Sequence, residues 1–89
     1  MIEKTVTIKN KLGLHARAAV RLMNLANRFN SNVKITKDGN EVDAKSILGI
    51  LTLAAVNGSK ITLKVSGKDE HKALDALIEL IENRFEEEE

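Results

Sequence analysis

Val33-Lys34-Ile35-Thr36-Lys37-Asp38-Gly39-Asn40-Glu41-Val42-Asp43-Ala44 decides the fold. Apolar and polar residues alternate through Val33–Lys37, the period of a half-buried strand, and Asp38-Gly39 is a strong hairpin signal. Asn40 to Ala44 then returns as the partner strand. Working outward, Ala16 to Phe29 has helical periodicity: Ala19, Leu22, Met23, Ala26 and Phe29 share one apolar arc at about 100° per residue. Arg17, Arg21, Asn24 and Arg28 form a polar stripe opposite, with Val20 and Leu25 at its flanks. Before this helix lie a strand in Thr5-Val6-Thr7-Ile8 and a loop from Lys9 to Leu14. After the hairpin, Ser46 is placed to cap a short helix running from Ile47 to Ala55, and Asn57-Gly58 turns the chain. Lys60-Ile61-Thr62-Leu63-Lys64-Val65-Ser66 is the clearest alternating strand, broken by Gly67. A last helix starts near Asp69 with Leu74, Leu77, Ile78, Ile81 and Phe85 as its apolar face.

The order is β-α-β-β-α-β-α, a hairpin set between two split β-α-β halves. It predicts an α+β open-faced sandwich, a four-stranded antiparallel sheet with three helices on one face. Eighty-nine residues make one domain, 1–89, with a single small core. Glu86 to Glu89 place like charges where the helix dipole disfavours them, so this tail is expected to be frayed and without a role.

Composition narrows the function classes. The chain is 43% hydrophobic and 30% charged, with a net charge of +1, so no global field draws it to nucleic acid or a membrane. Cysteine is absent and histidine occurs twice, which excludes thiolate metal sites and disulfides and makes structural zinc improbable. No metal and no cofactor is expected. The aromatics are Phe29 and Phe85 alone, so no stacking platform for single-stranded nucleic acid is available. Met1-Ile2-Glu3-Lys4-Thr5 has no apolar signal-peptide core and no run approaches a membrane span, pointing to a cytoplasmic location.

The chemistry-bearing stretch is Gly13-Leu14-His15-Ala16-Arg17-Ala18-Ala19. It puts His15 in a glycine-bearing turn at a helix start, where unpaired backbone N–H groups and the positive end of the dipole collect. A neutral imidazole there is a nucleophile, and a dianionic phosphoryl group on it would be electrostatically welcome. Arg17 offers a planar donor fork suited to phosphate oxygens. A histidine near a helix start also serves as a plain cap or surface residue, and the Gly-x-His-x-Arg pattern alone does not separate these readings. His71, among Asp69, Glu70 and Lys72, reads as a surface residue.

The segment Ser46-Ile47-Leu48-Gly49-Ile50-Leu51 is apolar around nearly its whole circumference, although only one face of so short a helix can meet the sheet. Ile50 and Leu53 are placed on the core side, with Ile47, Leu48 and Leu51 turned elsewhere. That second group is either a docking patch or packing under a neighbouring loop.

Taken together, Gly13-Leu14-His15-Ala16-Arg17 and Lys45-Ser46-Ile47-Leu48-Gly49, at this separation and in this order of elements, resemble the HPr family. These are histidine-containing phosphocarriers of the bacterial phosphoenolpyruvate-dependent sugar phosphotransferase system, and the resemblance spans essentially the whole chain. It implies that His15 accepts a phosphoryl group on Nδ1 from phosphorylated enzyme I and passes it to the IIA domain of a sugar permease, with Arg17 neutralising its charge. It implies that Ser46 matches a regulatory serine phosphorylated by an HPr kinase/phosphorylase in some bacteria. It further implies that Val20, Arg21, Ile47, Leu48 and Leu51 form the partner-binding surface. Such a protein carries a covalent phosphoryl group without being an enzyme, binds no nucleic acid, does not insert into a membrane and is expected to be a monomer. One departure is Ala18, where the family usually has proline; proline there would fix φ and remove an orphan N–H. A regulatory paralogue that acts mainly by docking, in nitrogen control or as corepressor of a transcription regulator, is the alternative within the same fold.

Overall fold

The computed structural model describes residues 1–87. Its sheet has the order β1-β4-β2-β3, built from β1 (Ile2–Thr7), β2 (Asn32–Lys37), β3 (Asn40–Asp43) and β4 (Lys60–Ser66). Every neighbouring pair is antiparallel: Ile2 faces Val65, Ile35 faces Leu63, and Lys37 faces Asn40 across the hairpin. Asp38 and Gly39 both have positive φ, 51° and 84°, as a two-residue turn of the primed type requires. Alternation in sequence becomes alternation in space. Val33, Ile35, Ile61, Leu63 and Val65 are fully buried on one face, while Thr5 and Thr62 share a hydrogen bond at 2.9 Å and Lys64 approaches Glu41 on the other.

Three helices complete the order: α1 (Ala16–Ala26), α2 (Ile47–Thr52) and α3 (Glu70–Glu82). Ala18, Ala19, Leu22 and Ala26 of α1, Ile50 of α2, and Ala73, Leu74, Leu77 and Ile81 of α3 join the buried strand residues in one core. Each large aliphatic side chain so buried contributes roughly 1.5–3 kcal/mol relative to exposure. The start of α3 is tied to the end of α1 by Asp69. Its carboxylate accepts from the backbone N–H of Asn30 and of Ser31, both at 2.9 Å, and from the Ser31 hydroxyl.

Several boundaries differ from the sequence reading. Strand β1 begins at Ile2, because pairing with β4 extends it beyond its own alternating stretch. Helix α1 ends at Ala26, with Asn27 as its cap, and Phe29 lies half-buried in the following turn. Helix α2 ends at Thr52, since Ala54 takes a φ of 51°, which no α-helix contains. Phe85 is buried as expected but is not on α3. The helix closes at Asn83, and Arg84, Phe85 and Glu86 have φ of 55°, 55° and 62°. Three consecutive non-glycine residues in the left-handed region cost of order 1–2 kcal/mol each. Complete burial of the Phe85 ring and a hydrogen bond from the Arg21 guanidinium to the Phe85 carbonyl hold them there.

The tail is therefore not frayed where it is described. Glu87 follows the left-handed turn and its side chain is only 9% exposed, so the expectation of a frayed tail is corrected at this residue. Glu88 and Glu89 lie outside the described residues.

Candidate functional site

The loop before α1 is built to carry His15. Gly13 has φ +69°, and a Cβ there would stand 2.5 Å from the Ala55 carbonyl oxygen and 2.7 Å from the Val56 Cα. Only glycine fits this crossing, which is sealed by the Leu14 N–H on the Ala55 carbonyl at 2.9 Å. Leu14 is buried, and its anchor leaves the next residue at the helix mouth. Below the loop, the fully buried Asn10 donates its amide to the Gly13 carbonyl at 2.6 Å, while the Asn57 amide donates to the carbonyls of Lys9 and Asn10.

His15 is the N-cap of α1, with extended backbone at φ −78°, ψ 179°. Its Nδ1 accepts the Arg17 backbone N–H at 3.3 Å, and its Nε2 meets the Glu87 carboxylate. A nitrogen that accepts carries no proton, so the ring's proton belongs on Nε2, the atom facing the carboxylate. The imidazole side chain is 28% exposed. The second oxygen of Glu87 accepts from the Asn10 amide at 2.7 Å. Burial pushes the Glu87 carboxyl up, but hydrogen bonds from Asn10 and His15, with the positive charge of Arg21 and of protonated His15, outweigh it. The carboxyl titrates below its ordinary value near 4.5 and stays ionised at neutral pH.

Arg17 is exposed beside His15, and its backbone N–H is among those at the helix start. Arg21 is half-buried and its guanidinium is spent on Phe85, so it braces the tail rather than standing free on a polar stripe. Val20 is 40% exposed. At the second helix start, Ser46 caps α2, its hydroxyl accepting the Gly49 N–H at 3.3 Å. Leu48 and Leu51 face outward, 72% and 37% exposed, while Ile50 and Leu53 are buried as read from the sequence. Ile47 departs from that grouping: it is half-buried and packs on the core. Residues three apart share a helix face, so Ile47 goes with Ile50, and Leu48 goes with Leu51. His71 is exposed in the first turn of α3.

The structure thus brings His15 and the Arg17 backbone together, sets Ser46 at the head of a separate helix, and leaves an apolar surface on α2. Sequence reasoning missed Asn10 and Glu87. Neither lies in a recognisable motif, and Glu87 reaches His15 only through a turn of left-handed residues. Among the described residues, no helix is long and apolar enough to cross a membrane and no cluster of side chains is arranged to hold a metal ion.

Residues 2–83 match the family described as the PTS HPr component phosphorylation site. The phosphocarrier protein HPr of Cupriavidus necator is 54% identical over 87 residues, 98% of each chain. The HPr-like protein Crh of Halalkalibacterium halodurans is 51% identical over 82 residues, 92% of this chain and 98% of that one. Among solved structures, HPr-C-His from Thermoanaerobacter tengcongensis superposes with a TM-score of 0.96 at 45% identity, covering all of both chains.

Proposed function

Because the chain belongs to the HPr family of phosphotransferase-system phosphocarriers, we propose that it carries its phosphoryl group on His15. It accepts the group from phosphorylated enzyme I and delivers it to the IIA domains of sugar permeases, as a covalent relay rather than a catalyst with turnover of its own. The observation that supports this most directly is the Nδ1 that accepts the backbone N–H of Arg17 at the N-terminus of α1. A phosphoryl group on Nδ1 replaces the imidazole lone pair as acceptor for that N–H and lies in the favourable field of the helix dipole. The exposed Arg17 guanidinium is free to swing onto its oxygens, adding charge-assisted bonds.

Docking falls to the apolar surface around this point. Leu48 and Leu51, with Val20 and the edge of Ile47, are the groups a partner would bury, and Arg21 serves by holding the wall of the site. Ser46 is the regulatory position. Phosphorylation there by an HPr kinase/phosphorylase is compatible with the helix start but sets a dianion beside the apolar surface. We assign the protein to the cytoplasm, where such a relay would meet its partners.

The test is incubation with enzyme I and phosphoenolpyruvate, followed by mapping of the acid-labile phosphate. His15→Ala is expected to abolish labelling and His71→Ala to leave it intact. Labelling that survives loss of His15 would sink the assignment.

A further inference from the structure

We propose that Glu87 is a positioning residue for phosphoryl acceptance: its carboxylate keeps the His15 proton on Nε2 and so presents the Nδ1 lone pair to the donor. This deepens the proposed function and rests on His15 being the acceptor.

Three observations converge on it. The contact joins Nε2 to one carboxylate oxygen while the opposite ring nitrogen accepts a backbone N–H, so the two partners of the ring demand the same tautomer. The carboxylate is itself held. Its other oxygen takes a bond from Asn10, a residue with no exposed surface whose amide also braces the Gly13 carbonyl. Finally, the chain reaches this position through Arg84, Phe85 and Glu86 in the left-handed region, and the buried Phe85 ring and the Arg21 guanidinium stabilise that turn. Strain of this kind persists only where its surroundings over-determine it. Here its result is to set a buried carboxylate on a histidine 72 positions away in sequence.

The step balances as follows. The Nδ1 lone pair forms the N–P bond while the phosphorus bond to the donor breaks, its electron pair leaving with the donor. Nε2 keeps its proton, so the ring becomes a phosphorylated imidazolium whose positive charge faces the Glu87 carboxylate. On delivery the N–P pair returns to Nδ1 and the ring is neutral again. The carboxylate therefore acts twice: it selects the nucleophilic tautomer beforehand and balances the charge that develops on the ring.

Nitrogen-15 NMR of the full chain tests the tautomer without any phosphotransfer. The parent is expected to show a protonated Nε2 and an unprotonated Nδ1 on His15. Glu87→Ala should mix the tautomers, and Glu87→Gln, which keeps an acceptor but no charge, should retain more of the Nε2–H form. In transfer assays with enzyme I and phosphoenolpyruvate, Glu87→Ala is expected to lower kcat roughly tenfold with little change in KM, the low end of what losing a histidine-orienting partner costs. Glu87→Gln should fall between parent and Glu87→Ala. A thermal midpoint near the parent's in Glu87→Gln separates positioning from folding. The proposal is overturned if His15 in the parent carries its proton on Nδ1, if neither variant alters the tautomer, or if the tautomer changes while kcat does not. Failure of His15 as acceptor is read separately, by labelling of His15→Ala, and removes the premise rather than the contact.

Discussion

Helices α1 and α2 begin in the same way and end up with different chemistry. Each has an extended N-cap residue whose side chain accepts a backbone N–H from the first turn at 3.3 Å, His15 for Arg17 and Ser46 for Gly49. What differs is the cover. At α1, Glu87 packs over the cap, so that the ring has a carboxylate on its far nitrogen and a buried amide behind that. At α2, Ser46 is exposed and Leu48, two residues on, is 72% exposed. A helix start supplies donors and a dipole to both; only the α1 start has a second layer around it, which suits the proposed phosphoryl transfer, while the bare start at α2 suits the proposed docking.

The largest effect is expected from stripping the cover. Phe85→Ala removes a fully buried ring and with it the anchor of the left-handed turn. It should cost about 3–5 kcal/mol in denaturant unfolding, and at temperatures where the protein is still folded it should release Glu87 from His15, seen as loss of the Nε2–H signal. A stable variant with that signal intact would show that the tail holds Glu87 without Phe85.

The proposed contact role of α2 is sharpened by a pair of changes. Leu48→Glu should weaken enzyme I binding by about 1 kcal/mol or more, the size of a modest hot spot, with the thermal midpoint hardly changed. Ile47→Ala, at a residue packed on the core, should lower the midpoint instead. If the two exchange behaviours, the division of α2 into a core side and a docking side is wrong.

A charge at the bare cap should separate stability from association. Ser46→Asp is favoured by the dipole, so its thermal midpoint should equal or exceed the parent's, while its apparent KM toward enzyme I rises. An earlier melt, or acceptance of phosphate at the parent's KM, removes the basis for a regulatory Ser46.

The smallest effect concerns the third helix start. Asp69 is the N-cap of α3, yet its carboxylate turns away from that helix to the turn after α1. The Ser31 hydroxyl first, then the backbone N–H groups of Asn30 and Ser31, hold it below its ordinary value near 3.8. A depressed carboxyl contributes stability that is present above its unfolded pKa and lost as pH falls through the folded one. The gap in thermal midpoint between parent and Asp69→Asn should therefore be constant at neutral pH and close as the solution is acidified below about pH 4. A gap that persists in acid would mean that the geometry of the bonds, and not the charge, matters.

Legibility in the sequence followed locality. The hairpin at Asp38-Gly39, the alternating strand Lys60–Ser66 and the caps His15 and Ser46 were readable because each depends on residues within a few positions of one another. The ends of α1 and α2 were not, since Phe29 and the Leu53–Ala55 segment continue the apolar composition of their helices while the backbone turns to meet the core. The side that Ile47 turns to the core was not legible because, in a helix of six residues, a small rotation decides which apolar group faces in.

The amino-acid sequence by itself determined the order of elements, the glycine-dependent loop, the histidine at a helix start and the family to which the chain belongs, because periodicity, turn chemistry and capping are short-range properties. Tertiary structure alone decided what stands on the far side of that histidine. Four glutamates at the end of a chain read as solvated charge. One of them becomes a buried partner of His15 because Phe85 finds the core, three residues accept left-handed backbone to let it, and Asn10 offers a donor from 77 positions away. Burial and long-range hydrogen bonding belong to the folded surroundings, which no local pattern encodes.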